Sequence, residues 1–136
     1  RSIKTLLVVE DDAVQRQSMI DLIGNGDVIT IAVETGAEAL ETIRSQRVDC
    51  LVLDLLLPDM DGFELLEQIK REPNLDRLPI IIYTGKELAP PEETELRRLS
   101  DTLIIKGVRS PERLLDETAL FLHRVPANLP EQQRLI

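Results

Sequence analysis

Cys50-Leu51-Val52-Leu53-Asp54-Leu55-Leu56-Leu57-Pro58-Asp59-Met60-Asp61-Gly62 is an aliphatic stretch broken by one carboxylate and closed by turn-forming residues. The run from Cys50 to Leu53 is short and wholly apolar, which predicts a strand buried on both faces. That strand delivers Asp54 at its carboxyl end. A carboxylate among aliphatic neighbours is a poor choice for a surface turn, because a buried charge is costly unless it is paired. Pro58 to Gly62 has the composition of a loop.

Reading outward, the same pattern recurs. Leu6-Leu7-Val8-Val9 runs into Glu10-Asp11-Asp12, Pro79-Ile80-Ile81-Ile82-Tyr83 into Thr84-Gly85, and Leu103-Ile104-Ile105 into Lys106. Residues 28–33 form a further β-rich run. The intervening segments have helical spacing. Residues 13–23 carry Val14, Met19, Ile20, Leu22 and Ile23, and Gly24-Asn25-Gly26 stops them. Residues 35–44 turn Ala39, Leu40 and Ile43 inward, and a third helix with Phe63, Leu66 and Ile69 ends near Glu72-Pro73. Pro90-Pro91-Glu92-Glu93 opens a fourth, since proline and acids both suit a first turn. A fifth starts after Ser110 as its N-cap, with Leu114, Leu115, Leu120 and Phe121 on the inner face. Five strand–helix units predict an α/β fold: a parallel sheet, doubly wound, with helices on both faces. Residues 3–124 read as one domain. Residues 125–136, with Pro126 and Pro130, read as a linker or extension.

Composition excludes several function classes. The 136 residues hold 16 Lys plus Arg against 25 Asp plus Glu, a formal charge of -9, which repels nucleic-acid phosphates. Only 2% of residues are aromatic, which disfavours flavins and stacked bases. A single histidine, His123, excludes a multi-histidine metal site. Cys50 has no disulfide partner and reads as a small buried hydrophobe. No apolar run approaches the roughly 18 residues of a membrane span, and no signal peptide is visible, so a cytoplasmic location is expected.

In a parallel sheet the strand ends share one edge. Here they gather Glu10, Asp11, Asp12, Asp54, Thr84 and Lys106. Clustered carboxylates repel unless a cation neutralises them, and oxygen ligands suit Mg²⁺. A carboxylate can act as a nucleophile toward phosphorus when a metal offsets the charge repulsion. A lysine and a hydroxyl can hold the transferred oxygens. Each residue also has a plainer reading. Asp11 or Asp12 can cap the next helix, Thr84 before Gly85 suits a turn, and Lys106 suits a solvated surface. The chemical reading rests on their conjunction.

These motifs, in this order and over about residues 5–122, resemble the receiver domains of two-component response regulators. The resemblance implies a flavodoxin-like fold with strand order 2-1-3-4-5. It implies Asp54 as phosphoacceptor, Thr84 as the switch hydroxyl and Lys106 as the phosphoryl contact. It implies Mg²⁺ held by Glu10, Asp11, Asp54 and the main-chain carbonyl of Leu56, with Asp12 as an adjoining third acid. The donor implied is a phosphohistidine on a histidine kinase or a histidine phosphotransfer domain. An apolar face on the fourth or fifth helix could support a homodimer through the fourth helix, fifth strand and fifth helix, and the chain looks similar to receivers excised from hybrid histidine kinases, with a stand-alone receiver as the alternative. Two positions depart from the family pattern: Gly107 stands where proline usually follows the lysine, and Leu103 where an aromatic switch residue is common. A cis bond without proline costs about 2.5–4 kcal/mol, so Lys106–Gly107 is expected to be trans.

Three other functions compete with the phosphoacceptor, which is itself not an enzyme. One is an interaction module of receiver fold that is not phosphorylated. Another is a magnesium-dependent phosphohydrolase, but Leu56 stands two residues after Asp54, where such enzymes place an acid, and cannot move a proton. The third is a flavin-binding relative, opposed by the few aromatics and the acidic strand ends.

Overall fold

A computed structural model describes residues 3–123 apart from 25, 27 and 76. The expected extension at residues 125–136, and Asn25 in the expected helix stop, lie outside the described residues. The elements are β1 (Lys4–Val9), α1 (Ala13–Ile23), β2 (Val28–Val33), α2 (Gly36–Ser45) and β3 (Cys50–Leu53). They continue as α3 (Gly62–Arg71), β4 (Ile80–Thr84), α4 (Pro90–Leu99), β5 (Thr102–Ile105) and α5 (Ser110–His123). All pairings are parallel and the sheet order is β2-β1-β3-β4-β5.

Alternation along each strand sorts two cores. Leu7, Val9, Leu51, Leu53, Ile80, Ile82 and Leu103 pack with Ala39, Leu40, Ile43, Leu65, Leu66, Ile69, Leu96 and Leu99 of α2, α3 and α4. Leu6, Val8, Cys50, Val52, Ile81, Tyr83 and Ile104 pack with Met19, Ile23, Leu114 and Leu122 of α1 and α5. Each full burial of such a side chain contributes about 1.5–3 kcal/mol, so aliphatic side chains suffice despite the few aromatics. Burial pushes the Cys50 thiol up to about 12, in line with a packing role.

The register levels the site. Val9 pairs with Leu53, and Thr84 with Ile105. Backbone bonding runs one residue past three strands: Glu10 N–H donates to Val33 O at 3.1 Å, Asp54 N–H to Val9 O at 3.0 Å, and Lys106 N–H to Thr84 O at 2.8 Å. The main chains of all three charged residues are therefore fixed by the sheet itself.

The helical faces differ from the expected ones at two places. Among the described residues of α5 the buried ones are Ser110, Leu114, Thr118 and Leu122, while Leu115 and Leu120 are each 43% exposed and Phe121 is half-buried. The i, i+4, i+8 strip meets the sheet, and Thr118 can join it because its hydroxyl donates to Leu114 O at 2.8 Å. Val14, in the first turn of α1, points to solvent at 77% exposure. Ser110 is the first residue of α5 rather than its N-cap. It is buried, and its hydroxyl bonds to Gly107 N–H at 3.0 Å and lies 3.0 Å from the Tyr83 hydroxyl. No peptide bond among the described residues is cis, so Lys106–Gly107 is trans as expected.

The loop after Asp54 is clamped on both sides. Asp59 accepts from Gly36 N–H and Ala37 N–H, each at 2.9 Å, at the start of α2. Asp61 accepts from Phe63 N–H at 2.9 Å and caps α3, and Leu56 bridges Asp61. Gly62 lies so close that a Cβ would stand 2.7 Å from the Leu55 Cα. Gly62→Ala is therefore expected to lose about 1–3 kcal/mol in urea denaturation, although alanine favours a helix. A gain in stability would show that the loop is free to move aside.

Candidate functional site

Four of the expected side chains meet at the carboxyl edge of the sheet. Asp54 ends β3, Glu10 ends β1, Thr84 closes β4 and Lys106 follows β5. Asp54, Glu10 and Thr84 are buried and Lys106 is partly so. The Lys106 ammonium donates to Asp54 Oδ2 at 2.9 Å and to Glu10 Oε1 at 3.0 Å. Its third partner is the side-chain amide oxygen of Gln15. The Thr84 hydroxyl donates to Asp54 Oδ1 at 3.0 Å, and Leu56 N–H donates to the same oxygen at 3.1 Å. The plainer reading of Lys106 as a solvated surface residue is thus set aside. Thr84 does both jobs, since its oxygen also accepts from Lys86 N–H at 3.1 Å.

The remaining acids divide. Asp12 is the N-cap of α1, accepting from Gln15 N–H at 2.9 Å, and its own N–H donates to Glu10 Oε2 at 3.1 Å. Asp11 is exposed at the rim. Glu10, Asp11, Asp12, Asp54 and Leu56 line an open cavity of about 630 Å³. Among the described residues no group of three acidic, histidine or cysteine side chains already converges as a metal cage. The donor set nonetheless fits Mg²⁺, which takes one or two carboxylates and completes its shell with waters and other oxygens. The Glu10 and Asp54 carboxylates meanwhile share the Lys106 ammonium as their resident cation.

That sharing is uneven. Burial pushes the Asp54 carboxyl up, but the Lys106 hydrogen bond, the Leu56 N–H and the Lys106 charge outweigh it and hold Asp54 below the usual aspartate range. For Glu10 burial prevails over the bonds from Lys106 and the Asp12 N–H, and its carboxyl is raised. Lys106 is itself raised: burial works against its charge, but the bonds to Asp54 and Glu10 more than offset it. Asp54 is therefore the more acidic member of the pair.

Several contributing residues were not singled out from the sequence. Gln15 and Arg16 are ordinary polar residues of a helix by composition. Arg16 Nη1 donates to Glu10 O at 2.9 Å and to Asp11 O at 3.3 Å, which holds the acidic turn. Tyr83 sits with its ring centroid 5.4 Å from Lys106 Nζ. Tyr83 and Lys106 stand at the ends of two different strands, and nothing in the sequence pairs them. Leu103 is only 3% exposed and packs in the core below α4.

Comparison with known proteins bears on this edge. Residues 6–118 match the family described as the response regulator receiver domain. The response regulator MprA of Mycobacterium ulcerans is 41% identical over 117 residues, covering 85% of this chain and 49% of that one. The chain thus spans about half the length of the curated relatives it matches. The crystal structure of the phosphorylated cyanobacterial phytochrome response regulator RcpA superposes with a TM-score of 0.82 at 24% identity, covering 95% of this chain and 99% of that one. The Mn²⁺-bound form of response regulator Rcp1 gives 0.79 at 24% identity, covering 90% and 96%. At that identity the two structures speak to the fold, which is the same. With five parallel strands in the order 2-1-3-4-5 and a family match across 6–118, the chain belongs to the response regulator receiver domains.

Proposed function

We propose that this chain receives a phosphoryl group on Asp54 from a phosphohistidine of a histidine kinase or histidine phosphotransfer domain, with Mg²⁺ bound beside it, and so switches the contacts of a two-component phosphorelay. One observation carries this reading. Asp54 is a buried carboxylate that accepts from Lys106, Thr84 and the Leu56 N–H, and against its burial the Lys106 and Leu56 bonds hold it below the usual aspartate range. Such a group is a ready nucleophile, and the same donors are in place for the oxygens it would acquire.

In the transfer, an Asp54 oxygen forms the new bond to phosphorus while the bond from phosphorus to the donor imidazole nitrogen breaks. The bonding pair stays on the imidazole, and Asp54 becomes an acyl phosphate. Lys106 follows the charge to a phosphoryl oxygen and Thr84 turns its hydroxyl to another. Glu10, Asp11, Asp54 and the Leu56 carbonyl would hold Mg²⁺, which supplies positive charge between the anionic nucleophile and the anionic donor. Leu56, half exposed and aliphatic, offers no general acid, which favours an acceptor over a phosphohydrolase. Ile105, exposed at the end of β5, is an apolar position that a homodimer through α4, β5 and α5 would bury.

Incubated with acetyl phosphate and Mg²⁺, the protein should gain one phosphoryl mass, and Asp54→Asn should gain none while unfolding like the parent. Equal uptake by Asp54→Asn would remove Asp54 from this role. Asp11→Ala should weaken Mg²⁺ binding by at least about tenfold, the scale seen even for partners outside the direct ligand shell. An unchanged Mg²⁺ titration would take Asp11 out of the metal site.

A further inference from the structure

We propose that Gln15 is a positioning residue for Lys106, its amide oxygen serving as the third acceptor that fixes the ammonium against Asp54. The consequence for phosphoryl uptake rests on the phosphoacceptor reading of Asp54; the geometry does not. An ammonium has three N–H donors and no acceptor. Two of them go to Glu10 and Asp54, at the ends of β1 and β3, and the third goes to Gln15 on α1. Three acceptors on three separate elements fix the direction of the group, whereas two leave it free to swing on its four-carbon stem.

The fold leaves this work to a side chain. Gly107 supplies no ring to set the backbone after Lys106, and a Cβ there would meet no atom nearer than 4.0 Å. The main chain is held by Lys106 N–H on Thr84 O and by Gly107 N–H on the Ser110 hydroxyl, at 2.8 and 3.0 Å. The far end of the lysine needs its own restraint. Gln15 is well placed to give it, because its backbone N–H is itself capped by the Asp12 carboxylate. Its side chain lines both the acidic cavity and the neighbouring cleft of about 260 Å³ between α1 and α5, so it forms the wall between them.

The test uses Gln15→Met, close in size but without the acceptor, and Gln15→Glu, which keeps one. Gln15 is exposed, and both variants should unfold like the parent. At saturating Mg²⁺, uptake from acetyl phosphate should fall about fivefold in Gln15→Met, as for loss of one exposed bond to a charged group. Half-saturation by Mg²⁺ should stay put, and Gln15→Glu should recover the rate. In ¹⁵N-lysine protein the Lys106 ammonium signal should be protected from exchange in the parent and in Gln15→Glu, and lost in Gln15→Met. In a Lys106→Ala background, Gln15→Met should have no further effect. A parental rate and an unchanged ammonium signal in Gln15→Met would overturn the proposal, as would an undiminished effect without Lys106. If the parent itself takes up no phosphoryl group, the phosphoacceptor reading fails, and the ammonium signal still decides whether Gln15 holds Lys106.

Discussion

Glu10 and Asp54 stand together at the edge of a parallel sheet, largely out of water, and the Lys106 ammonium reaches both at about hydrogen-bond length. Two buried carboxylates without a cation would repel and be desolvated at once. Buried ion pairs are weak evidence for stability, because apolar residues of similar volume commonly do as well or better. The burial of this one is better explained by chemistry. It holds Asp54 below the usual aspartate range, among hydrogen-bond donors and on the wall of a cavity of about 630 Å³.

The sheet places these groups because its ladder continues through them. The main-chain bonds of Glu10, Asp54 and Lys106 to neighbouring strands fix each residue before its side chain makes any contact. The β3–α3 loop adds a second level of control. Asp59 ties it to α2, and the close approach of Gly62 to Leu55 sets the path that brings the Leu56 N–H onto Asp54. A change in that loop therefore acts on the carboxylate through the backbone.

Much of this was legible in the sequence, for definite reasons. Strands buried in the sheet are continuous apolar runs, so β1, β3, β4 and the run Leu103-Ile104-Ile105 of β5 stood out, and the residues after them could be collected on one edge. Lys106, Asp54, Thr84 and Glu10 were found by that rule alone. What stayed hidden depends on helix phase and on distance across the fold. The buried strip of α5 runs through the polar Ser110 and Thr118 and leaves Leu115 outside it, which apolar spacing cannot reveal. Ser110 looks like a cap in sequence but turns inward to Gly107 and Tyr83, because that pair lies beneath it. Gln15 carries no charge and no motif, and its meeting with Lys106 joins positions at opposite ends of the chain.

Leu103 and Gly107 alter what surrounds the lysine rather than the lysine's partners. Leu103 is packed in the core, and Tyr83, on the adjoining strand, is the aromatic ring nearest the ammonium among the described contacts. The claim that Lys106 is the resident cation of the acidic pair is tested most directly by ¹³C titration of the Asp54 and Glu10 carboxyls without divalent metal, in the parent and in Lys106→Met. The account predicts Asp54 below the usual aspartate range in the parent and Glu10 above its own. Removing the ammonium leaves burial unopposed by that charge, so Asp54 should move upward in Lys106→Met, further than any other carboxyl except Glu10. An Asp54 that titrates at the same pH in both proteins would contradict it.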